Sequence, residues 1–123
     1  MSATEKPFVL VIEDDAVSAE ALSMILHDWG AEVAHAPDAG ALDEALGSRA
    51  TSVRYIITDF HLGAGPDGVS LARDVAASAP GSRVLVLSGS FHGRASIAAR
   101  EAGFDMMPKP ARADAILAWL ERC

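Results

Sequence analysis

Acidic side chains follow two of the short apolar segments of this sequence. Glu13, Asp14 and Asp15 come directly after the apolar run 8–12, and Asp59 follows a later run. Adjacent carboxylates repel one another, so this cluster is costly unless a cation lies among them, and oxygen ligands of this kind suit Mg²⁺. The alternative is a helix N-terminus, where an acid complements the helix dipole, and we assign Asp15 mainly to that capping role. Glu13 and Asp14 then remain as candidate metal ligands.

Two further polar groups follow later apolar segments. Ser88 comes after the run 83–87, and Lys109 comes shortly after a run that ends at Met107. Taken alone, Ser88 suits a helix cap, Lys109 a solvated surface charge and Asp59 a turn. Together, an acid pair, a lone carboxylate, a hydroxyl and an ammonium are suited to phosphoryl transfer. They would supply a nucleophile, ligands for a divalent cation and donors for the phosphoryl oxygens.

Five apolar segments at nearly even spacing predict β-strands. The predicted strands cover residues 8–12, 31–36, 53–57, 83–87 and 104–107. The first segment, and the fourth after Arg83, are apolar throughout, as in central parallel strands that are covered on both faces. The second segment alternates, as an edge strand does.

Segments with helical spacing separate these strands. The predicted helices cover residues 16–29, 37–46, 67–79, 93–102 and 111–121. Their ends are marked by Gly47, Pro80-Gly81 and Gly103, because proline removes a backbone donor and glycine tolerates the left-handed cap. The predicted apolar stripe of the first helix is Val17, Ala21, Met24, Ile25 and Trp29. That of the fifth helix is Ala113, Ile116, Leu117 and Leu120.

The alternation of strand and helix, without a hairpin signal, predicts the fold class. It favours a parallel sheet with right-handed crossovers and helices on both faces, which is a doubly wound α/β three-layer sandwich. Sites in such sheets lie outside the carboxyl ends of the strands, where the strand order reverses. We therefore expect the polar groups after strands one, three, four and five to meet at one rim.

Composition bounds the remaining possibilities. The 123 residues fit one domain, 1–123, in which we expect residues 1–6 to be a flexible tail. Of all residues, 50% are hydrophobic and 22% are charged, which is typical of a globular protein. The net charge of −7 argues against direct nucleic-acid contact. Cys123 is the only cysteine, which excludes an internal disulfide and suits a reducing cytosol. Apolar runs fall far short of the roughly 20 residues of a membrane span.

Taken together, the motifs resemble the receiver domain of two-component response regulators over essentially the whole chain. The resemblance rests on Val-Leu-Val-Ile-Glu-Asp-Asp at 9–15, Ile-Ile-Thr-Asp at 56–59, Val-Leu-Val-Leu-Ser-Gly at 84–89, Ala102-Gly103 and Lys109-Pro110. Each motif is weak alone, but their order and spacing are specific. The resemblance implies a flavodoxin-like five-stranded sheet in the order 2-1-3-4-5.

The resemblance also implies a role for each candidate residue. Asp59 would accept the phosphoryl group, and Ser88 and Lys109 would contact it. Asp14 would bind Mg²⁺ (or Mn²⁺) directly together with Asp59, Glu13 would bind it through water, and His61 would offer only its backbone carbonyl. Met106 would occupy the switch position.

Partners follow from the same resemblance. The phosphodonor would be a sensor histidine kinase or a histidine phosphotransfer protein, and the target a downstream protein or a fused kinase or output domain. Phosphorylation would change the surface of helix four, strand five and helix five, and it allows a phosphorylation-dependent dimer. The chain would catalyse only its own phosphorylation and dephosphorylation, and it would do so in the cytoplasm. It would be either a stand-alone receiver or a piece of a larger regulator or hybrid kinase.

Three positions depart from the family pattern. Gly63 stands where the family usually has proline, in a loop with about one extra residue; Met106 replaces a common aromatic residue; and Pro108 precedes Lys109. The first two departures keep a second hypothesis open, a receiver-like interaction module that signals without phosphorylation. A hydrolase of the aspartyl-phosphate kind ranks third, because it would need an acid rather than histidine at position 61.

The histidines and tryptophans have ordinary interpretations. The His61 side chain could titrate near neutral pH or orient a hydrolytic water, but a solvent-facing loop position is favoured. We place the remaining histidines, His27, His35 and His92, at the surface or boundary. Trp29 and Trp119 lie on helical stripes, which favours packing over ligand binding.

Overall fold

Five parallel strands form one sheet in the computed structural model, which describes residues 6–63, 66–89 and 93–122. The strands are β1 (Phe8–Ile12), β2 (Glu32–Ala36), β3 (Val53–Asp59), β4 (Arg83–Ser88) and β5 (Asp105–Pro108). Their order is β2-β1-β3-β4-β5, and each neighbouring pair is parallel. The predicted doubly wound sheet and its strand order are therefore confirmed.

Helices connect the strands on both faces of the sheet. In the described residues they are α1 (Ala16–Trp29), α2 (Leu42–Leu46), α3 (Gly68–Ser78), α4 (Arg94–Ala102) and α5 (Ala113–Glu121). Among these helices, none combines the length and the apolar character that crossing a membrane would require. The predicted tail falls outside the described residues except for Lys6, which is exposed.

The second helix differs from its prediction over 37–46. A 3₁₀ turn at Ala39–Ala41 precedes α2, and the side chain of Asp38 accepts a hydrogen bond from the backbone N–H of Ala41 (3.1 Å). Because Asp38 caps this turn, Pro37 lies outside the helix rather than in its first turn. Gly47, at φ +55°, ends α2 as predicted, and a second 3₁₀ segment, Gly47–Ser52, follows.

Two apolar layers hold the helices to the sheet. The layer under α1 and α5 includes Val9, Val11, Ile57, Leu85, Leu87, Leu22, Leu26, Ile116 and Leu120. The layer under α2, α3 and α4 includes Leu10, Ile12, Ile56, Val84, Val86, Leu46, Leu71, Val75 and Ala99. Every residue of β1 is buried, because alternate side chains enter opposite layers.

The predicted apolar stripe of α1 is wrong at Val17, Ala21 and Met24, which are exposed, and right at Trp29, which packs against the layer under α1 and α5. The helix buries Ala19, Leu22 and Leu26, whereas Val17 is 75% exposed and Met24 is 62% exposed. Met24 lies about 200° around the helix from Leu22, at about 100° per residue, so the two cannot face the same layer. Apolar residues occupy both sides of α1, and only contact with the sheet decides which side is buried.

An aromatic cluster attaches α5 to the sheet. The ring of Tyr55 on β3 makes edge contacts with Trp29 (5.9 Å between centroids) and Trp119 (5.7 Å). Trp119 is buried, and its Nε1–H donates to Asp105 Oδ2 at 2.7 Å. The packing role predicted for both tryptophans is confirmed. The predicted α5 stripe is only partly right, because Trp119 belongs to it and the exposed Ala113 does not.

Candidate functional site

The carboxyl ends of four strands bring the predicted polar groups to one rim of the sheet. Asp59 is the last residue of β3 and Ser88 the last of β4, so both strands extend further than the sequence predicts. Glu13 directly follows β1, and Lys109 directly follows β5. Since neighbouring strands are parallel and are paired up to their carboxyl ends, these positions lie side by side.

Three carboxylates converge at this rim. Oxygens of Glu13, Asp14 and Asp59 all lie within 4.8 Å of one another. Glu13 is only 5% exposed and Asp59 only 8%, whereas Asp14 is exposed. Two acids are therefore held close together in a poorly solvated place, where their mutual repulsion is strong.

Lys109 supplies the positive charge of the cluster. Its Nζ lies 3.3 Å from Asp59 Oδ2 and 3.6 Å from Glu13 Oε2. The backbone N–H of Lys109 donates to the carbonyl oxygen of Ser88 at 2.9 Å, which joins the ends of β5 and β4. The Lys109–Pro110 peptide bond is cis. The predicted convergence of Asp59, Glu13, Asp14 and Lys109 is thus observed, and Ser88 is fully buried beside them.

The cluster holds three carboxylates but only one positive side chain among the described residues, Lys109. Burial raises the pKa of Glu13, and the charge of Asp59 raises it further, although Lys109 opposes both. Burial lowers the pKa of Lys109, but the attraction of Asp59 and Glu13 outweighs it, so the pKa is raised and the ammonium persists. Glu13 Oε1 is buried without a hydrogen-bond partner among the described residues. The three carboxylates, with this oxygen among them, are a donor set that fits a hard divalent cation.

Asp15 has the capping role that the sequence predicts. Its Oδ2 accepts hydrogen bonds from the backbone N–H of Ser18 (3.0 Å) and from the Ser18 hydroxyl (2.5 Å), and it is the N-cap of α1. These bonds, the hydroxyl first, lower the pKa of Asp15. The three successive acids therefore divide into one cap and two members of the site.

The backbone around Asp59 is held by α3. The N–H of Gly68, the first residue of α3, donates to the carbonyl of Phe60 at 2.9 Å, and the N–H of Phe60 donates to Leu87 O at 3.0 Å. A Cβ atom on Gly68 would overlap the carbonyl oxygen of Asp59 and lie 2.5 Å from Thr58 Oγ1. Only glycine allows this approach. The sequence interpretation missed this role of Gly68, which it placed only within the predicted helix 67–79.

The loop after β3 carries the departures from the family pattern. The exposed His61 ring packs edge-on against Phe60, with 4.9 Å between centroids, and the role of its carbonyl stays a prediction. Gly63 adopts φ +72°, and a Cβ there would be 3.7 Å from Asp14 Oδ2. Proline cannot adopt this angle, because its ring fixes φ near about −65°. Ala64 and Gly65 of this loop lie outside the described residues.

The remaining histidines and Met106 complete the set of predicted positions. His27 is exposed, as predicted, and His92 lies outside the described residues. His35 is at the surface, but its Nε2 lies 2.7 Å from the carbonyl oxygen of Glu13, a contact that no sequence signal indicated. Met106 is half-buried against the layer under α4, and its switch role stays a prediction.

The fold agrees with the comparisons to known proteins. The family model described as the response regulator receiver domain matches residues 9–121, and the chain belongs to this family. No curated protein matches the sequence. A similar solved structure is a response regulator protein from Burkholderia pseudomallei with a phosphorylated aspartic acid, a calcium ion and citrate. It is 30% identical with a TM-score of 0.80, over 94% of this chain and 67% of that chain.

Two less similar structures support the fold alone. The chemotaxis protein CheY4 of Vibrio cholerae is 23% identical with a TM-score of 0.81, over 96% of this chain and 98% of that one. A response regulator from Thermotoga maritima is 23% identical with a TM-score of 0.78, over 95% and 96% of the two chains. The chain is therefore a receiver domain with a flavodoxin-like fold.

Proposed function

We propose that this receiver domain accepts a phosphoryl group on Asp59 with the help of a divalent cation, and that the phosphoryl group switches its contacts with a partner. One observation carries the proposal. The buried carboxylate of Asp59 lies 3.3 Å from the Lys109 ammonium and shares a 4.8 Å cluster with Glu13 and Asp14. A nucleophile, a fixed cation and a place for a second cation therefore occupy one rim.

The chemistry requires little of the protein beyond positioning and electrostatics. An oxygen of Asp59 attacks the phosphorus of a phosphohistidine on the donor protein. A P–O bond forms, the P–N bond breaks, and its electron pair stays on the imidazole nitrogen, which then takes up a proton. Lys109 holds its charge beside the attacking carboxylate, and Ser88 would contact a phosphoryl oxygen from the end of β4.

The metal-binding residues would be Glu13, Asp14, Asp59 and the backbone carbonyl of His61. When bound, Mg²⁺ (or Mn²⁺) neutralises negative charge on the carboxylates and on the phosphoryl oxygens. Glu13 Oε1 has no hydrogen-bond partner in the part of the chain that the structure describes, which supports this assignment, because a buried carboxylate oxygen without a donor is costly otherwise. The Burkholderia pseudomallei structure holds both a calcium ion and a phosphorylated aspartic acid, which is consistent with a cation at such a site.

A protein phosphodonor and a protein target are part of the proposal. The donor would be a sensor histidine kinase or a histidine phosphotransfer protein, in the cytoplasm. The target would be a downstream protein or a fused domain that reads α4, β5 and α5. Two neighbours come from larger signalling proteins, an HD domain-containing protein of Pseudomonas fluorescens and a modulated diguanylate cyclase of Desulfovibrio desulfuricans. The proposal therefore includes a receiver domain that is fused to another domain as well as one that stands alone.

The test is intact-mass spectrometry after incubation with Mg²⁺ and acetyl phosphate. The protein is expected to gain the mass of one phosphoryl group, and Asp59→Asn is expected to gain none. Asp28→Asn, at an exposed position in the last turn of α1, is the matched control and should react like the unsubstituted protein. No mass gain, or an equal gain in Asp59→Asn, would contradict the proposal.

Gly63 favours a second candidate function. Its φ of +72° sets a loop path that the usual proline cannot follow, directly beside Asp14. A receiver-like module that binds its partner without phosphorylation would be free to change this loop. In that case neither Mg²⁺ nor beryllofluoride, an analogue of the phosphoryl group, would alter the amide NMR spectrum. Perturbations centred on Asp14 and Asp59 would favour the first function.

A further inference from the structure

The side chain of His35 contacts the chain segment that carries the two site acids after β1. Its Nε2 lies 2.7 Å from the backbone carbonyl oxygen of Glu13. A carbonyl oxygen can only accept a hydrogen bond, so Nε2 carries the proton and donates it. His35 lies on β2, opposite Val11 of β1, and therefore reaches two residues past its own partner in the ladder.

This contact fixes the Glu13 backbone on both of its polar groups. The N–H of Glu13 donates to the carbonyl of Ala36 at 3.2 Å, and its carbonyl accepts from His35. The Glu13–Asp14 peptide unit is planar, so an anchored carbonyl also sets where the Asp14 N–H and Cα lie. Asp14 itself is exposed and lies beyond the end of β1. The position from which its side chain starts therefore depends on this peptide plane.

We propose that His35 is a positioning residue, which orients the Glu13–Asp14 peptide so that both carboxylates face the Asp59 pocket. The inference rests on the proposed function, because it takes these acids as ligands of a divalent cation. Groups that orient metal ligands without touching the metal commonly affect affinity by about 10- to 100-fold. His35 would act less directly than such groups, because it contacts the backbone of the metal-binding residues and not their carboxylates.

A simpler role would be to fasten the edge strand β2 to β1. The two strands already pair along five residues each, from Phe8 opposite Glu32 to Ile12 opposite Ala36. A fastening role would change the resistance to unfolding, but it would leave the cation affinity of the folded protein unchanged. The positioning role would change that affinity, and a substitute donor would restore it.

The experiment compares His35→Phe with His35→Gln in the full chain. Glutamine can place an amide N–H close to the position of Nε2, whereas phenylalanine offers a ring without a donor. Calorimetric titration with MgCl₂ is expected to show affinity about 10-fold weaker in His35→Phe and close to the original in His35→Gln. His27→Phe, an exposed histidine at the far end of α1, is the matched control and should bind normally.

A second readout needs no metal. The ¹⁵N shift of the Asp14 amide reports the polarisation of the preceding carbonyl, and it should move in His35→Phe but less in His35→Gln. If His35→Phe does not fold, His35→Val takes its place with the same expectation, because valine favours strands.

Three results would overturn the inference. The first is an unchanged Mg²⁺ affinity in folded His35→Phe, and the second is an equal loss in the Phe and Gln variants. The third is an unsubstituted protein that binds no Mg²⁺, which would overturn the proposed function as well. The first two results leave the proposed function standing, so the two failures are distinguishable.

Discussion

A methyl group on Gly68 has no room between the start of α3 and the end of β3. An ideal Cβ would overlap the carbonyl oxygen of Asp59 and lie 2.5 Å from Thr58 Oγ1. The first turn of α3 must therefore move away from β3 in Gly68→Ala. The hydrogen bond from the Gly68 N–H to the carbonyl of Phe60, 2.9 Å long, would stretch or break in that movement.

The expected loss of stability is the sum of two effects. Overpacking of a close contact costs about 1–3 kcal/mol, and a weakened backbone hydrogen bond costs about 0.5–1.5 kcal/mol. We expect Gly68→Ala to lower the free energy of unfolding by about 1.5–4.5 kcal/mol. A typical domain has about 5–15 kcal/mol, so the variant should remain folded. Because the clash is with the backbone of Asp59, phosphorylation should also slow.

The assay is urea unfolding followed by circular dichroism, together with the rate of mass gain from acetyl phosphate. Gly40→Ala is the matched control, because a Cβ there meets only Asp38 Oδ1 at 3.4 Å. It should change stability by no more than about 1 kcal/mol, since it also reduces the freedom of the unfolded chain. If the two alanine variants unfold at the same urea concentration and react equally fast, the steric reasoning is wrong.

Three further predictions follow from the layers and from the charges at the rim. Leu26→Ala, in the core, should lower the free energy of unfolding in urea by about 2–5 kcal/mol, whereas Met24→Ala, on the exposed side of α1, should lower it by less than about 0.5 kcal/mol. Equal losses would contradict the observed burial and would favour the predicted stripe. The pKa of Glu13 is raised in the folded protein. The favourable contribution of Glu13 to the free energy of unfolding is therefore complete at pH values below its ordinary pKa of 4.5, and it is lost as the pH rises through its pKa in the folded protein. Glu13→Gln should therefore stabilise the protein at pH 7 by about 0.5–2 kcal/mol without metal, and this gain should shrink towards pH 4.5. The measurement is urea unfolding of both proteins at pH 7 and at pH 4.5. A difference in the free energy of unfolding that is the same at both pH values would contradict the reasoning. Mg²⁺ at about ten times its Kd should add about 1.4 kcal/mol to the free energy of unfolding, and Asp14→Asn should lose most of this increment while Asp28→Asn keeps it.

The sequence was sufficient for the features that depend only on element type and order. Alternating strands and helices allow few topologies, and the carboxyl ends of parallel strands must share a rim. This argument placed Asp59 and Lys109 together although 50 positions separate them in the numbering. The capping role of Asp15 was also predictable, because capping is a local interaction with the following turn.

Other features depend on contacts between distant segments, and the sequence interpretation missed them. The predicted rotation of α1 was wrong because Leu22 and Met24 are both apolar, and only packing against the sheet selects one of them. The need for glycine at position 68 arises from the carbonyl of Asp59, on a different element. His35 carries no motif, and its bond to Glu13 exists only because β2 pairs beside β1.

The aromatic cluster beneath α5 gives the protein an intrinsic optical reporter. Tyr55 is the only tyrosine and lies within 6 Å of both of the chain's tryptophans, at 5.9 Å from Trp29 and 5.7 Å from Trp119 between ring centroids. Excitation energy absorbed by the phenol should therefore pass to the indoles, and the folded protein should show little phenol emission. When α1 and α5 leave the sheet, that emission should reappear while the indole spectrum shifts to the red, so detachment of these helices can be followed without a dye.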